Sequence, residues 1–203
     1  MKLFEPLTIR NMTLKNRIIL SSMGLGLGYT NKRATDFYLE RARGGAGAMI
    51  YGAGIPDLFV RDEAWEKTGG VAAFIKRLQG FNGEINRAGA KMGIQFYYGN
   101  RYPFTMDPKV GELVAPSARV EVDPSRHAWV EPGEQLREIT VAEIEAIVGT
   151  FGQAAAAARE AGFDFVEIHN AHGLLPCQFF SPTTNQRTDQ YGGDLAGRMR
   201  FSR

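Results

Sequence analysis

The stretch Phe163-Asp164-Phe165-Val166-Glu167-Ile168-His169-Asn170-Ala171-His172-Gly173 is where the fold is decided. Phe163 to Ile168 is short, β-branched and aromatic, which predicts a strand buried on both faces. Two histidines then stand three apart directly after it. Residues Phe165 to Gly173 are therefore expected to deliver His169 and His172 to a ligand site, because parallel architectures gather ligands at the carboxyl ends of their strands. Just upstream, Thr140 and Glu143 have the spacing of a capping box, and Ile144, Ile147, Val148, Phe151, Ala155 and Ala158 are expected to face one way until Gly162. A helix leads straight into this strand.

The same alternation runs back to the N-terminus. Phe74, Leu78, Phe81 and Ile85 form one apolar helical stripe closed by Gly89, and Met92 to Tyr98 reads as the strand after it. Thr35 to Arg43 reads as a helix ending at Gly44-Gly45, followed by the strand Ala46 to Ala53. Ile18-Ile19-Leu20 is the first strand, running into Ser21-Ser22-Met23-Gly24. Before it, Leu3 to Arg17 reads as a short hairpin around Arg10-Asn11-Met12. Gly99 to Arg137 carries Pro103, Pro108, Pro116, Pro124 and Pro132, too many breakers for a regular element, and reads as a long loop. Strand then helix, four times over, means an α/β fold, either a doubly wound sheet or a barrel. With no composition shift or fixed-period repeat, residues 1–203 read as one unit.

Composition narrows the partners. The 203 residues are 44% hydrophobic and 23% charged, as in an ordinary globular chain, and 24 Lys plus Arg nearly balance 22 Asp plus Glu. Nothing in that balance predicts nucleic acid or an anionic membrane surface, and charge does not identify the partner; the small molecule expected follows from the strand ends below. Cys177 is the single cysteine, which excludes an internal disulfide and fits a reducing compartment. Met1-Lys2-Leu3-Phe4-Glu5-Pro6 has no apolar signal core, and no run reaches the length of a membrane span, so the cytoplasm is the expected location.

Chemistry-bearing residues collect at the four strand ends. They are Ser21-Ser22-Met23-Gly24, Tyr51-Gly52-Ala53-Gly54, Gln95-Phe96-Tyr97-Tyr98 and His169-Asn170-Ala171-His172-Gly173. Small residues let a ligand approach the backbone, an amide both donates and accepts, and aromatics cover a ring, a mixture suited to a flat heterocycle. Singly, Gln95 could equally satisfy neighbouring backbone and the tyrosines could be core. Four successive strand ends favour the ligand. Two ring N–H groups can hold a carbonyl or phenolate oxygen and stabilise the charge that grows there when a conjugated double bond is reduced. No carboxylate or thiolate at helical spacing joins the pair, which ranks a metal below oxygen binding. Glu167, on the same strand face as His169, needs a basic or hydrogen-bonding partner.

Glu167-Ile168-His169-Asn170-Ala171-His172-Gly173, Gln178-Phe179-Phe180-Ser181-Pro182-Thr183-Thr184-Asn185-Gln186-Arg187-Thr188-Asp189-Gln190-Tyr191-Gly192-Gly193 and Arg198-Met199-Arg200-Phe201 together resemble the old yellow enzyme family of NADH:flavin oxidoreductases. Leu3-Phe4-Glu5-Pro6-Leu7, Leu14-Lys15-Asn16-Arg17-Ile18 and Ala115-Pro116-Ser117-Ala118 agree, in order along the whole chain. The resemblance implies a TIM (β/α)8 barrel binding FMN and passing hydride from NAD(P)H to activated alkenes such as enones, enoates and enoyl thioesters. It places Ser22, Met23, Gly24, Ala53 and Gln95 against the flavin and His169 and His172 on the substrate oxygen. Tyr97, at the end of the third strand, is expected as a further substrate contact apart from that resemblance. An iron–sulfur cluster and FAD would belong only to a further C-terminal extension, and a homo-oligomer is expected.

Two features depart from that pattern. The family's proton-donating tyrosine follows the His-x-x-His-Gly segment, where this chain has Leu174. Another acid is then needed, with Tyr97, Tyr98 and Tyr29 as candidates, while Cys177 reads as a small core residue. The second is length, since such a barrel takes about 250 residues. The expectation is therefore an N-terminal half: four β/α units plus the hairpin. Two alternatives stand beside the ene-reductase: an amine dehydrogenase or demethylase of the same fold, and a truncated half-barrel without flavin activity.

Overall fold

A computed structural model describes residues 1–28, 31–61, 66, 69–103, 111–118 and 134–203. Tyr29, His127, Pro108, Pro124 and Pro132 lie outside the described residues. The chain divides into two compact units, Met1–Phe96 with Gly152–Glu167 and Tyr97–Phe151 with Ile168–Arg203.

In the first unit the hairpin pairs β1 (Leu7–Ile9) with β2 (Met12–Leu14), Ile9 opposite Met12, with Arg10 turning the chain at φ 54°. The main sheet has the order β3 (Ile19–Met23), β4 (Ala48–Gly54), β5 (Lys91–Phe96) and β9 (Phe165–Ile168). β3, β4 and β5 pair in parallel. β9 runs the same way: Asp164 N–H donates to Met92 O, and three residues on in each strand Gln95 meets Glu167. Within this sheet the strands lie side by side in their order along the chain. A doubly wound sheet reverses its strand order at a switch point, whereas a barrel does not, so this is the first part of a barrel.

Helix α1 (Lys32–Arg43) follows β3, and α2 (Gly70–Arg87) follows β4. α1 begins three residues before the expected Thr35 because Asn31 caps it, its Oδ1 accepting from Arg33 N–H at 2.9 Å. α2 buries Phe74, Leu78, Phe81 and Ile85, as their spacing requires, and Gly89 takes φ 79° just past its end. The core beneath is aromatic: Phe59 lies 5.2 Å from both Phe74 and Phe96 and Tyr38 stacks on Tyr51 at 5.1 Å.

Two expectations need correction. Buried on both faces holds for β4 and β5 but not at the ends of the sheet, where Ile19 is 44%, Met23 48%, Val166 41% and Ile168 39% exposed. β3 and β9 each have one strand neighbour, so alternate side chains stay uncovered. In the second unit, the supposed loop Gly99 to Arg137 contains a small sheet of β6 (Arg101–Tyr102), β7 (Glu112–Ala115) and β8 (Arg137–Glu138). Strands of two to four residues carry no periodicity to read.

Helix α3 (Val141–Glu160) starts at the expected capping box, Thr140 N–H donating to Glu143 Oε2 at 2.9 Å and Glu143 N–H to Thr140 Oγ1 at 3.3 Å. Its buried positions are Ile144, Ile147, Ala154 and Ala158, while Val148 is exposed. At 100° per residue Val148 lies on the margin of that stripe, whose centre passes nearer Phe151. Tyr98, Val114, Ile139, Ile144, Ile147, Phe179 and Tyr191 form the second unit's core, with the short helices α4 (Leu175–Phe180) and α5 (Leu195–Arg198) after β9. Arg187 is buried there, donating to Pro116 O and Ile139 O and pairing with Asp189. Among the described residues no helix is long and apolar enough to cross a membrane.

Candidate active site

Ser22, Ala53, Gln95 and Glu167 hold the same rank in their strands, the last position but one of β3, β4, β5 and β9. Parallel strands of sequential order bring equal ranks to one edge of the sheet. Within the first unit three of them are joined: Ser22 Oγ–H donates to Gln95 Oε1 at 2.7 Å, and Gln95 Nε2–H donates to Glu167 Oε1 at 2.5 Å. The carboxylate accepts only, so it fixes which end of the amide carries nitrogen, and Ser22 must donate to the other. Glu167 thereby finds the partner its sequence position demanded.

The register behind this contact comes from the step below. A Cβ at Gly93 would fall on the Phe165 ring. Only glycine leaves room for that ring between the strands. Two residues on along the same faces, Gln95 and Glu167 stand opposite one another. Lys91 and Asp164 fix the strands lower down, through a 2.7 Å ion pair and a 2.9 Å bond from Met92 N–H to the carboxylate. Met23 and Gly24 are exposed at the end of β3, and the Met23 backbone lies so close to Gly52 that a Cβ there would meet it. Tyr51 is core, its hydroxyl donating to Gly28 O at 2.8 Å.

In the second unit the histidines stand in series. Ala171 N–H donates to His169 Nδ1 at 3.1 Å, and His169 Nε2 lies 3.0 Å from His172 Nδ1, the rings 4.8 Å apart and inclined by 72°. His172 sits at φ 55° and is exposed, and His169 is half-buried. The turn is held by an amide clasp between Gln178, which lies in the motif, and Asn100, which does not; neither residue stood out in the sequence. Gln178 Nε2–H donates to Gly173 O at 2.7 Å and to Asn100 Oδ1 at 2.7 Å, while Asn100 Nδ2–H donates to Gln178 Oε1 at 3.0 Å and to Val114 O at 2.7 Å. Both amides are buried. On the other side Asn170 and Ser202 bond at 3.0 Å.

The candidate acids separate cleanly. Leu174 is 3% exposed and Tyr98 2%, both in core positions. Tyr97 is half-buried, and burial raises its phenol above the ordinary range, so it keeps its proton at neutral pH. Cys177 is partly buried in α4.

A model of the NADH:flavin oxidoreductase / NADH oxidase family matches residues 2–203. The NADPH dehydrogenase of Clostridium acetobutylicum is 38% identical over 99% of this chain and 57% of its own length. The cinnamate reductase of Clostridium sporogenes is 35% identical over 98% of the chain and 30% of its own length. The crystal structure of Old Yellow Enzyme from Pichia sp. AKU4542 superposes with a TM-score of 0.77 at 27% identity, covering 99% of this chain and 54% of that one. The chain thus spans about half the length of the NADPH dehydrogenases it matches.

Proposed function

The chain belongs to the NADH:flavin oxidoreductase / NADH oxidase family, and from that premise we propose that it is the N-terminal half, residues 1–203, of one FMN-binding barrel that reduces an activated C=C bond with NAD(P)H. The observation that carries this reading is the bonded row Ser22, Gln95, Glu167 at the strand ends. Beyond those two bonds the Gln95 amide has a second N–H and Oε1 a second lone pair, and Ser22 Oγ has acceptor capacity. The alternating carbonyl and N–H edge of a flavin fits that donor and acceptor set. Ser22 and Gln95 would hold it, with Met23, Gly24 and Ala53 as backbone contacts.

Bound FMN supplies hydride uptake from a nicotinamide and hydride delivery to an alkene carbon. The chain's own residues do the rest. Glu167 orients the Gln95 amide, and His169 and His172 bind the substrate's carbonyl or carboxylate oxygen and stabilise charge growing on it. Leu174, buried and without a proton to give, removes the usual donor, and the neutral Tyr97 phenol takes that role at the substrate carbon. Cinnamate, the acceptor named for one relative, is an enoate of this class.

The test is an FMN titration followed by anaerobic reduction with NADH or NADPH. Reoxidation by cinnamate or an enone supports the proposal. Flavin reduction by a tertiary amine, with no response to alkenes, replaces it with the amine dehydrogenase reading that Leu174 also permits. A chain that leaves FMN fluorescence unchanged is the truncated half-barrel without flavin activity.

A further inference from the structure

We propose that a second copy of this chain occupies the open edges of the main sheet, β9 of each copy pairing in parallel with β3 of the other to close an eight-stranded barrel with two-fold symmetry. The strand count rests on the barrel reading above, while the pairing itself requires no flavin.

The two edges are matched by direction. Among the described residues β3 and β9 each have a strand neighbour on one side only. A residue in a parallel strand turns its N–H and C=O toward one neighbour, and the next residue turns both the other way. Ile18 O accepts from Gly47 and Ala48 N–H, on the β4 side, so Ile19 and Ser21 present their backbone groups at the outer edge of β3. Asp164 N–H is given to Met92 O, on the β5 side, so Phe165 and Glu167 present theirs at the outer edge of β9. These are opposite margins of one parallel sheet, and a half-turn about the barrel axis brings each margin of a second copy onto the other at once. An antiparallel partner on one edge would leave the other open.

Closure at two copies follows from the count. A head-to-tail seam builds a ring when its rotation closes and a filament when it does not. Four strands in each copy make eight, the number at which a parallel β/α barrel closes. Neither edge is guarded: β3 reads Ile-Leu-Ser-Ser-Met and β9 Phe-Val-Glu-Ile, with no lysine or proline, and the Glu167 carboxylate is engaged by Gln95. Ile19, Met23 and Val166 are exposed on the face opposite the Ser22, Gln95 and Glu167 row, where pairing sets Val166 beside an apolar strand. Equal ranks at the strand ends then continue from Glu167 to Ser22 of the partner subunit, ringing one mouth.

Analytical ultracentrifugation of the flavin-free 203-residue chain at micromolar concentration should give a dimer of the 22.4 kDa chain. Ile19→Pro removes an outward N–H and leaves the bonds to β4 in place, so it should give a folded monomer. Amide hydrogen exchange locates the seam. Ile19, Ser21, Phe165 and Glu167 should exchange slowly in the parent, and Phe165 and Glu167 rapidly in the variant. A monomeric parent, an open polymer, or a dimer in which these four amides exchange freely overturns the proposal. The parent's own mass and exchange decide it even if the variant fails to fold. A dimer that leaves FMN fluorescence unchanged keeps the pairing and overturns the flavin reading, and a monomer that binds FMN does the reverse.

Discussion

Gln95 and Glu167 face each other across β5 and β9 because Gly93 and Phe165 do so two residues earlier, the ring occupying the space where a Gly93 side chain would be. A packing contact and a polar one therefore share one register, since a slip by one residue would turn both pairs to the other face.

Glu167→Leu removes the acceptor that orients the Gln95 amide. A hydrogen bond to a charged group is worth about 1.5–3 kcal/mol, roughly a ten- to hundredfold loss where binding depends on it. FMN affinity, followed by fluorescence quenching, should fall by that order, and Glu167→Gln, which keeps an acceptor, should fall less. Unchanged affinity in the leucine variant would sink the positioning role.

Gly93→Ala tests the packing half of the same register. The added methyl meets the Phe165 ring, and overpacking of this kind costs about 1–3 kcal/mol. The urea midpoint should drop with little change in slope. Phe165→Leu in the alanine background should recover part of the loss, a coupling expected only of residues in contact.

The helices and main strands were legible because their burial is periodic: Phe74, Leu78, Phe81 and Ile85 can share a face only on a helix. Thr140 and Glu143 were legible because capping is local, spanning three residues. The partner of Glu167 was not, because Gln95 lies 72 positions away and only the β5–β9 register joins them. Ring rotation and the aim of one backbone amide hid the serial arrangement of His169 and His172, whose spacing fits a clamp equally well. Val148 was misplaced because a stripe read from one helix says nothing about how far its neighbours extend.

The buried clasp beneath the histidine turn gives a third prediction. Gln178→Leu strips the N–H donors from Gly173 O and Asn100 Oδ1, two acceptors held by that side chain. At about 1–3 kcal/mol for each buried acceptor left unpaired, the loss should be about 2–6 kcal/mol by chemical denaturation. A variant as stable as the parent would show that the turn needs no anchor.

Stability in acid should depend on Glu143. The hydrogen bond from Arg137, at 2.6 Å, and the Thr140 contacts hold its carboxyl at about 2, against an ordinary 4.5. A lowered folded value means its contribution is complete above about 4.5 and is lost as pH falls toward 2. The pair is partly solvated, so about 1 kcal/mol is expected. Glu143→Gln keeps the capping geometry and loses the charge. Parent and variant should differ at neutral pH and converge near pH 2, as urea midpoints would record; a constant gap would assign the whole effect to packing.

Alkaline stability runs in the opposite sense through Tyr38. Burial pushes its phenol up to about 12, outweighing a backbone hydrogen bond at Gly52 and the charge of Arg41. The unfolded chain ionises first, near 10, so the folded state binds the extra proton between those values. Stability from this group is therefore complete below about 10 and drains away as pH rises to 12, by about 3 kcal/mol in all. Tyr38→Phe cannot ionise. It should begin less stable, having lost the Gly52 bond, and then fall less steeply with pH, so that the melting temperatures of parent and variant draw together across this interval. Burial also raises Tyr97, so some slope should persist in the variant. Parallel curves would mean that the Tyr38 hydroxyl reaches solvent in the folded protein, contrary to its position between Tyr51 and Phe81.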